Sequence, residues 1–184
     1  MSLAHKQEEY FTYADYCNWD DNTRWELIDG APYSMVAPSI RHQEILGNVY
    51  IKFREYLDGK LCKVLIAAVD VRLNADKGDD TVVQPDLLIV CDEEKLADGK
   101  SVKGAPDLVV EILSPSNEKH DRVKKHAKYK EAGVKEIWYI DPTAEVVDVY
   151  KLENGKYFAD TYGVEDIIPV GIFPEFEVDL KEII

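Results

Sequence analysis

Two short apolar runs, each opened by Pro-Asp, hold the acids best suited to chemistry. Pro85-Asp86 precedes Leu87-Leu88-Ile89-Val90, and Pro106-Asp107 precedes Leu108-Val109-Val110-Glu111-Ile112-Leu113. Runs of this length, rich in branched residues and flanked by turn formers, predict buried strands of one sheet. A carboxylate inside such a strand is out of place. Left ionised and unpaired, Glu111 is strongly unfavourable, so it needs a proton, a cation or a partner. If the two strands are neighbours, as strands with a short connection are, Glu111 and Leu113 share one face and Val110 and Ile112 the other. Asp86 then meets Glu111 across the pair, given matching register. Two carboxylates about 4 to 5 Å apart resist ionising together. A hard divalent cation with oxygen ligands, Mg2+ or Mn2+, resolves the repulsion. Such an ion turns a bound water into a nucleophile for phosphodiester hydrolysis and offsets charge on the phosphate. A lysine or arginine closing on Glu111 in a sealed interior would remove the need for it.

Asp121, Lys125 and Tyr129 follow at spacings of four, which makes one stripe of a helix. Lys125 on that stripe would place an ammonium beside the attacking water or the phosphate. The plainer alternative is a solvated helix with an Asp121–Lys125 surface pair of little energetic weight. Tyr129 would bond Asp121 or Glu111, or simply pack. His42 is a candidate extra metal ligand or phosphate contact, the alternative being a core histidine bonded to a carbonyl. Glu26 and Glu44 are further carboxylates, although a solvated or salt-bridged glutamate is the commoner case. Asp107 lies about 13 Å from Glu111 at strand rise, too far for one metal, and reads as a turn or cap residue. His5, His120 and His126 are assigned to the surface. Ser114-Pro115-Ser116 has no base nearby in sequence and reads as a capping turn.

The elements that must position these groups can be laid out in order. Residues 6 to 17 form a short amphipathic helix, and Trp25–Val36 a hairpin turning at Gly30. Ser39 caps a helix whose Ile45, Leu46, Val49, Phe53 and Leu57 recur at helical spacing, with His42 on the inner face. Leu61 to Leu73 and Thr81 to Val90 are strands around a polar turn. A charged loop runs from Cys91 to Ala105. After the Glu111 strand, Ser116 or Asn117 caps a helix that ends at Ala132, where Gly133 supplies a left-handed residue. Glu136 to Asp141 is a strand, and Val146 to Tyr162 a hairpin around Asn154-Gly155. The fold class is therefore α/β, a central mixed β-sheet flanked by helices, with an N-terminal helix and hairpin and a C-terminal β-hairpin. No linker or repeat interrupts residues 1 to 184, and one domain is expected.

The bulk numbers bound the function. With 46% hydrophobic and 32% charged residues, the chain reads as globular. No apolar run reaches the roughly eighteen residues of a membrane span, and the N-terminus lacks a secretion signal's apolar core. Cys17, Cys62 and Cys91 form no CxxC pair, and reduced buried thiols in a cytoplasmic protein are expected. The net charge of −14 opposes tight non-specific binding to nucleic acid. Its counterweight is the stretch Lys119–Lys135, with seven Lys or Arg among seventeen residues.

Pro85-Asp86, Pro106-Asp107 through Glu111 to Ser114-Pro115-Ser116, the Asp121, Lys125, Tyr129 series, Gly133-Val134 and Trp138–Pro142 together resemble the Uma-two family. Glu26–Gly30 and Arg41-His42 fit its opening, so the resemblance spans roughly residues 8 to 150. That family is similar to the restriction-endonuclease-like, PD-(D/E)XK nucleases. The resemblance implies a metal-dependent endonuclease acting on DNA, with Asp86 and Glu111 as the acidic pair. The superfamily's lysine usually stands two residues after the second acid, where this chain has Leu113. The resemblance implies that Lys125 has taken over from the following helix. If Lys125 cannot reach, the alternative is an inactive nuclease fold serving as an oligomeric binding module. Cutting both strands of a duplex needs two sites, which makes a homodimer the expected assembly.

Overall fold

Leu87–Val90 and Leu108–Ile112 do become adjacent antiparallel strands, with Leu87 opposite Val110 and Leu88 opposite Val109. They belong to a computed structural model that describes residues 9–114 and 120–184. In chain order the strands are β1 (Trp25–Ile28), β2 (Ala31–Ser34), β3 (Lys63–Ile66), β4 (Asp70–Arg72), β5 (Val82–Val83), β6 (Leu87–Val90), β7 (Ser101–Lys103) and β8 (Leu108–Ile112). They continue as β9 (Glu136–Asp141), β10 (Val146–Glu153), β11 (Lys156–Gly163), β12 (Ile167–Pro169) and β13 (Glu177–Asp179). The α-helices are α1 (Tyr13–Tyr16), α2 (Ile40–Tyr56) and α3 (His126–Ala132), and α3 is entered through a π-helical turn, His120–Lys125.

The central sheet is mixed, in the order β11-β10-β9-β8-β6-β3, with β8 and β9 parallel and the other pairs antiparallel. Its central strands β6, β8 and β9 are covered on both faces, which is why they run largely apolar rather than alternating, whereas β10 and β11 at the edge are more exposed. On one face Ile45, Leu46, Val49 and Phe53 of α2 pack on Leu87, Ile89, Leu108 and Val110, joined by Ile168, Val178 and Ile183 of the tail. On the other, Leu88, Val90 and Val109 meet Val71, Val83 and Val102 together with Tyr129 of α3. Val71, Val83 and Val102 belong to a second, five-stranded sheet, β2-β1-β5-β4-β7, which the sequence reading does not anticipate as a separate layer.

Two expected strands are each divided between the sheets. Leu61–Leu73 breaks at a cis Ala67–Ala68 peptide into β3 and β4, and Thr81–Val90 breaks at Gln84-Pro85-Asp86 into β5 and β6. The break at Pro85 leaves Asp86 just ahead of β6. The expected N-terminal helix is one turn, Tyr13–Tyr16, and its first residues lie outside the described ones, as do His5 and the Ser116 or Asn117 cap. Ser39 caps α2 as expected, its hydroxyl accepting from the His42 N–H, and Gly133 closes α3 at φ 81.

The cysteine expectation is overturned. The β3–β6 register sets Lys63 opposite Val90, so Cys62 and Cys91 stand side by side one step further on and are joined as a disulfide. Only the strand pairing, and not the 29-residue separation, reveals the match. Cys17 is exposed and free. Among the described residues no helix is long and apolar enough to cross a membrane.

Candidate active site

The β6–β8 register, extended by one residue, sets Asp86 opposite Glu111, on the face that also carries Leu88 and Val109. Both acids line one open cavity of about 390 Å³, together with Glu26, His42, His120, Asp121 and Lys125. Asp86 Oδ2 accepts from the Ile112 backbone N–H at 2.7 Å and lies 3.1 Å from His42 Nε2. His42 is buried on the first turn of α2, facing inward as its spacing predicts. Its Nδ1 has no hydrogen-bond partner among the described residues, which leaves the Nε2–Asp86 contact as the ring's polar tether there.

Glu111 is 2% exposed and Lys125 Nζ lies 2.6 Å from its Oε1, which also accepts from Tyr129 OH at 2.5 Å. The lysine from the following helix therefore reaches the acid. The same Nζ stands 3.0 Å from Glu26 and 3.5 Å from Asp121. Leu113, where the amine of related nucleases would stand, is instead embedded among Tyr129, Val134 and other core residues. A solvated Asp121–Lys125 surface pair is excluded, since both are buried.

One ammonium faces three carboxyl groups, with Asp86 close by. Burial pushes Glu111 well above the ordinary carboxylate range, and the charges of Asp121, Asp86 and Glu26 add to that while Lys125 opposes it. Asp121 is raised too, again by burial first. Burial would depress Lys125, but Glu111 and Glu26 beside it hold its ammonium well above the usual lysine range. Glu26 goes the opposite way. Burial pushes it up, yet Lys125, His120 and the Gln84 N–H bring it down to about 2. The pocket thus contains more acid than its own cations can match, and it opens to solvent.

Among the described residues no three His, Cys, Asp or Glu side chains form a ready-made ion cage. The donor set still suits magnesium or manganese, which take one or two carboxylates and complete their shell with waters and substrate oxygens. Calcium-like or zinc-like sites with many protein ligands do not match it.

Three residues were misjudged from sequence. Glu26, ranked with Glu44 as incidental, is 2% exposed and ties the cluster together, bonding Lys125, His120 and the Gln84 N–H. Its position inside β1, between Trp25 and Leu27, gave the same signal as Glu111, an acid in an apolar strand. Glu44 is exposed on α2. His120 is not a surface residue apart from the site: its Nε2 sits 3.1 Å from Glu26, and its ring packs 4.8 Å from Tyr33. His126 is also partly buried, against Tyr139 and Tyr150. Asp107 serves as a clamp, accepting from Cys91 N–H and pairing with Lys135, away from the cavity.

A central mixed sheet with helices on its flank is a nuclease-like fold. Its backbone superposes with a TM-score of 0.76 on a crystal structure of a putative nuclease belonging to DUF820 from Anabaena variabilis ATCC 29413. The identity is 17%, over 94% of this chain and 97% of that one. Residues 8–181 match the Uma2 family, described as "Putative restriction endonuclease", and the chain belongs to that family. A relative in Synechocystis sp. (strain ATCC 27184 / PCC 6803 / Kazusa), the uncharacterized protein slr1290, is 28% identical over 173 residues, 90% of this chain and 88% of that protein.

Proposed function

We propose that the chain hydrolyses DNA phosphodiester bonds as a Mg2+- or Mn2+-dependent endonuclease, in keeping with its family. One observation carries the reading: Asp86 and Glu111, 25 residues apart, line one cavity with Lys125 Nζ 2.6 Å from Glu111. Asp86 and Glu111 would hold the metal. His42, placed against Asp86 through Nε2, would orient that carboxylate, and it would serve as a ligand through Nδ1, unpartnered among the described residues, or by giving up that contact. A bound divalent ion supplies Lewis acidity toward the phosphate and acidifies a water. The remaining roles belong to the protein. Lys125, kept charged by its three carboxyl neighbours, places a fixed positive charge beside the reacting phosphate, where it needs no reorganisation. Tyr129 fixes the Glu111 carboxylate by hydrogen bonding, and Asp121 and Glu26 hold the Lys125 amine in place.

The inactive binding module is favoured by Leu113 and by the charge of −14, but Lys125 answers the first point by reaching Glu111 from the helix. Incubating the chain with labelled DNA and manganese separates the two. Cleavage is expected in the wild type and lost in Asp86→Asn and Glu111→Gln. No cleavage by wild type, or equal cleavage by both variants, contradicts the nuclease reading. If duplex is cut on both strands, a homodimer with two sites is the assembly expected by sedimentation.

A further inference from the structure

We infer that the substrate seated across Asp86 and Glu111 is an unpaired DNA strand rather than a duplex, an inference that rests on the nuclease reading above. A second cavity, of about 640 Å³, adjoins the first, and the two share Met35, His42 and Asp86. They form a trough that passes Trp25 and Tyr33 at the acids and continues to Arg24 and Arg41 beside the first turn of α2. Volumes of this order accept a few nucleotide-sized groups, as small-ligand pockets do.

The cations of the molecule point the same way. Duplex binding draws its affinity from many phosphate contacts over a broad basic surface. The basic stretch expected to supply that surface is partly tied up: Arg122 pairs with Asp148 at 2.6 Å, Lys128 with Asp29 at 2.5 Å and Lys135 with Asp107 at 2.7 Å, and Lys125 is buried, while Lys124 and Lys130 stay exposed. At the trough, among the described residues, Arg41 is exposed and makes no ion pair and the Arg24 side chain bonds the neutral Gln84 side chain and no acid. Two arginines can engage two phosphates of one strand. Trp25 supplies the aromatic surface on which an unpaired base stacks, the device by which single-strand binders replace charge with stacking.

The test measures binding of the wild-type chain to a fluorescein-labelled single-stranded DNA 20-mer, its duplex and the matching RNA, in EDTA so that hydrolysis does not intervene. The single DNA strand is expected to bind at least tenfold more tightly than the duplex, on the order of what stacking contributes per base. Trp25→Ala should weaken that binding by about tenfold with Trp25→Phe restoring it, and exposed Arg41→Ala should lower the salt slope by about 0.7. Duplex or RNA binding equal to or tighter than that of the single DNA strand overturns the inference, as does the absence of saturable strand binding. Cleavage in manganese is scored separately. Faster cutting of duplex sinks the strand assignment and leaves the nuclease reading standing, whereas strand binding without cleavage does the reverse.

Discussion

Removing the Lys125 amine would leave Glu26, Glu111 and Asp121 facing one another without the cation that stands 3.0, 2.6 and 3.5 Å from them. Lys125→Ala is therefore expected to lower stability by about 3 to 5 kcal/mol, the usual result of stripping one partner from a buried ion pair. Turnover should be lost as well, while Lys125→Met at neutral pH should be rescued in stability, not in activity, by millimolar manganese. Urea unfolding with and without metal checks this, and unchanged stability of the alanine variant would contradict the buried network. Glu26 gives a pH prediction of definite sign. Its folded value, about 2, lies below its ordinary 4.5. Its ionisation therefore stabilises the fold fully above pH 4.5, and the contribution is lost as pH falls towards 2. Between those limits the thermal midpoint of wild type should drop more steeply than that of Glu26→Gln; parallel curves would rule out the depressed value. Glu111 could be singled out as an acid at odds with an apolar strand, Asp86 by its Pro-Asp flank ahead of one, and Lys125 by its four-residue spacing from Asp121 and Tyr129 together with the family resemblance. Glu26 carried the same contradiction but lacked a Pro-Asp flank. The role of His120 depends on which way a π-helical turn aims its side chain, and no periodicity in the sequence specifies that turn.

At the level of elements, the site is a consequence of strand register. Leu87 opposite Val110 is what puts Asp86 beside Glu111, and a slip of one residue would send one of them to the α2 face. The hairpin β1–β2 is equally exacting, since it carries Glu26 and Trp25. It turns through Asp29 at φ 52 and Gly30 at φ 74, two successive left-handed residues of the kind that match strand twist. A Cβ at Gly30 would also collide with the ring of Tyr10. Gly30→Ala should cost roughly 1 to 3 kcal/mol, with loss of activity because Glu26 shifts; a thermal midpoint within a degree of wild type would contradict it. Hairpins and the capped helix α2 were legible because they are local: turn chemistry, cap and apolar spacing lie within a few residues of each other. The division of Leu61–Leu73 and Thr81–Val90 between two sheets was not, because both halves are apolar and only their long-range partners distinguish them.

Across the whole molecule, the Cys62–Cys91 link ties β3 to β6 and closes a loop that passes through both sheets. Reduction should lower stability by about 3 to 4 kcal/mol, the chain-entropy value for a loop of this length. Thiol titration of the denatured, unreduced chain should find Cys17 alone; three reactive thiols would restore the reduced cytoplasmic expectation. The net charge of −14 argues against a broad nucleic-acid surface, and composition does not show that Lys128, Lys135 and Arg122 of the basic run pair with Asp29, Asp107 and Asp148. What remains decisive is whether the excess acid of the pocket receives an ion. Anomalous diffraction from a crystal soaked in manganese should place one peak within about 2.3 Å of carboxylate oxygens from both Asp86 and Glu111. A peak elsewhere, or no peak at millimolar manganese with Glu111 still bound only to Lys125 and Tyr129, would contradict the metal-dependent nuclease.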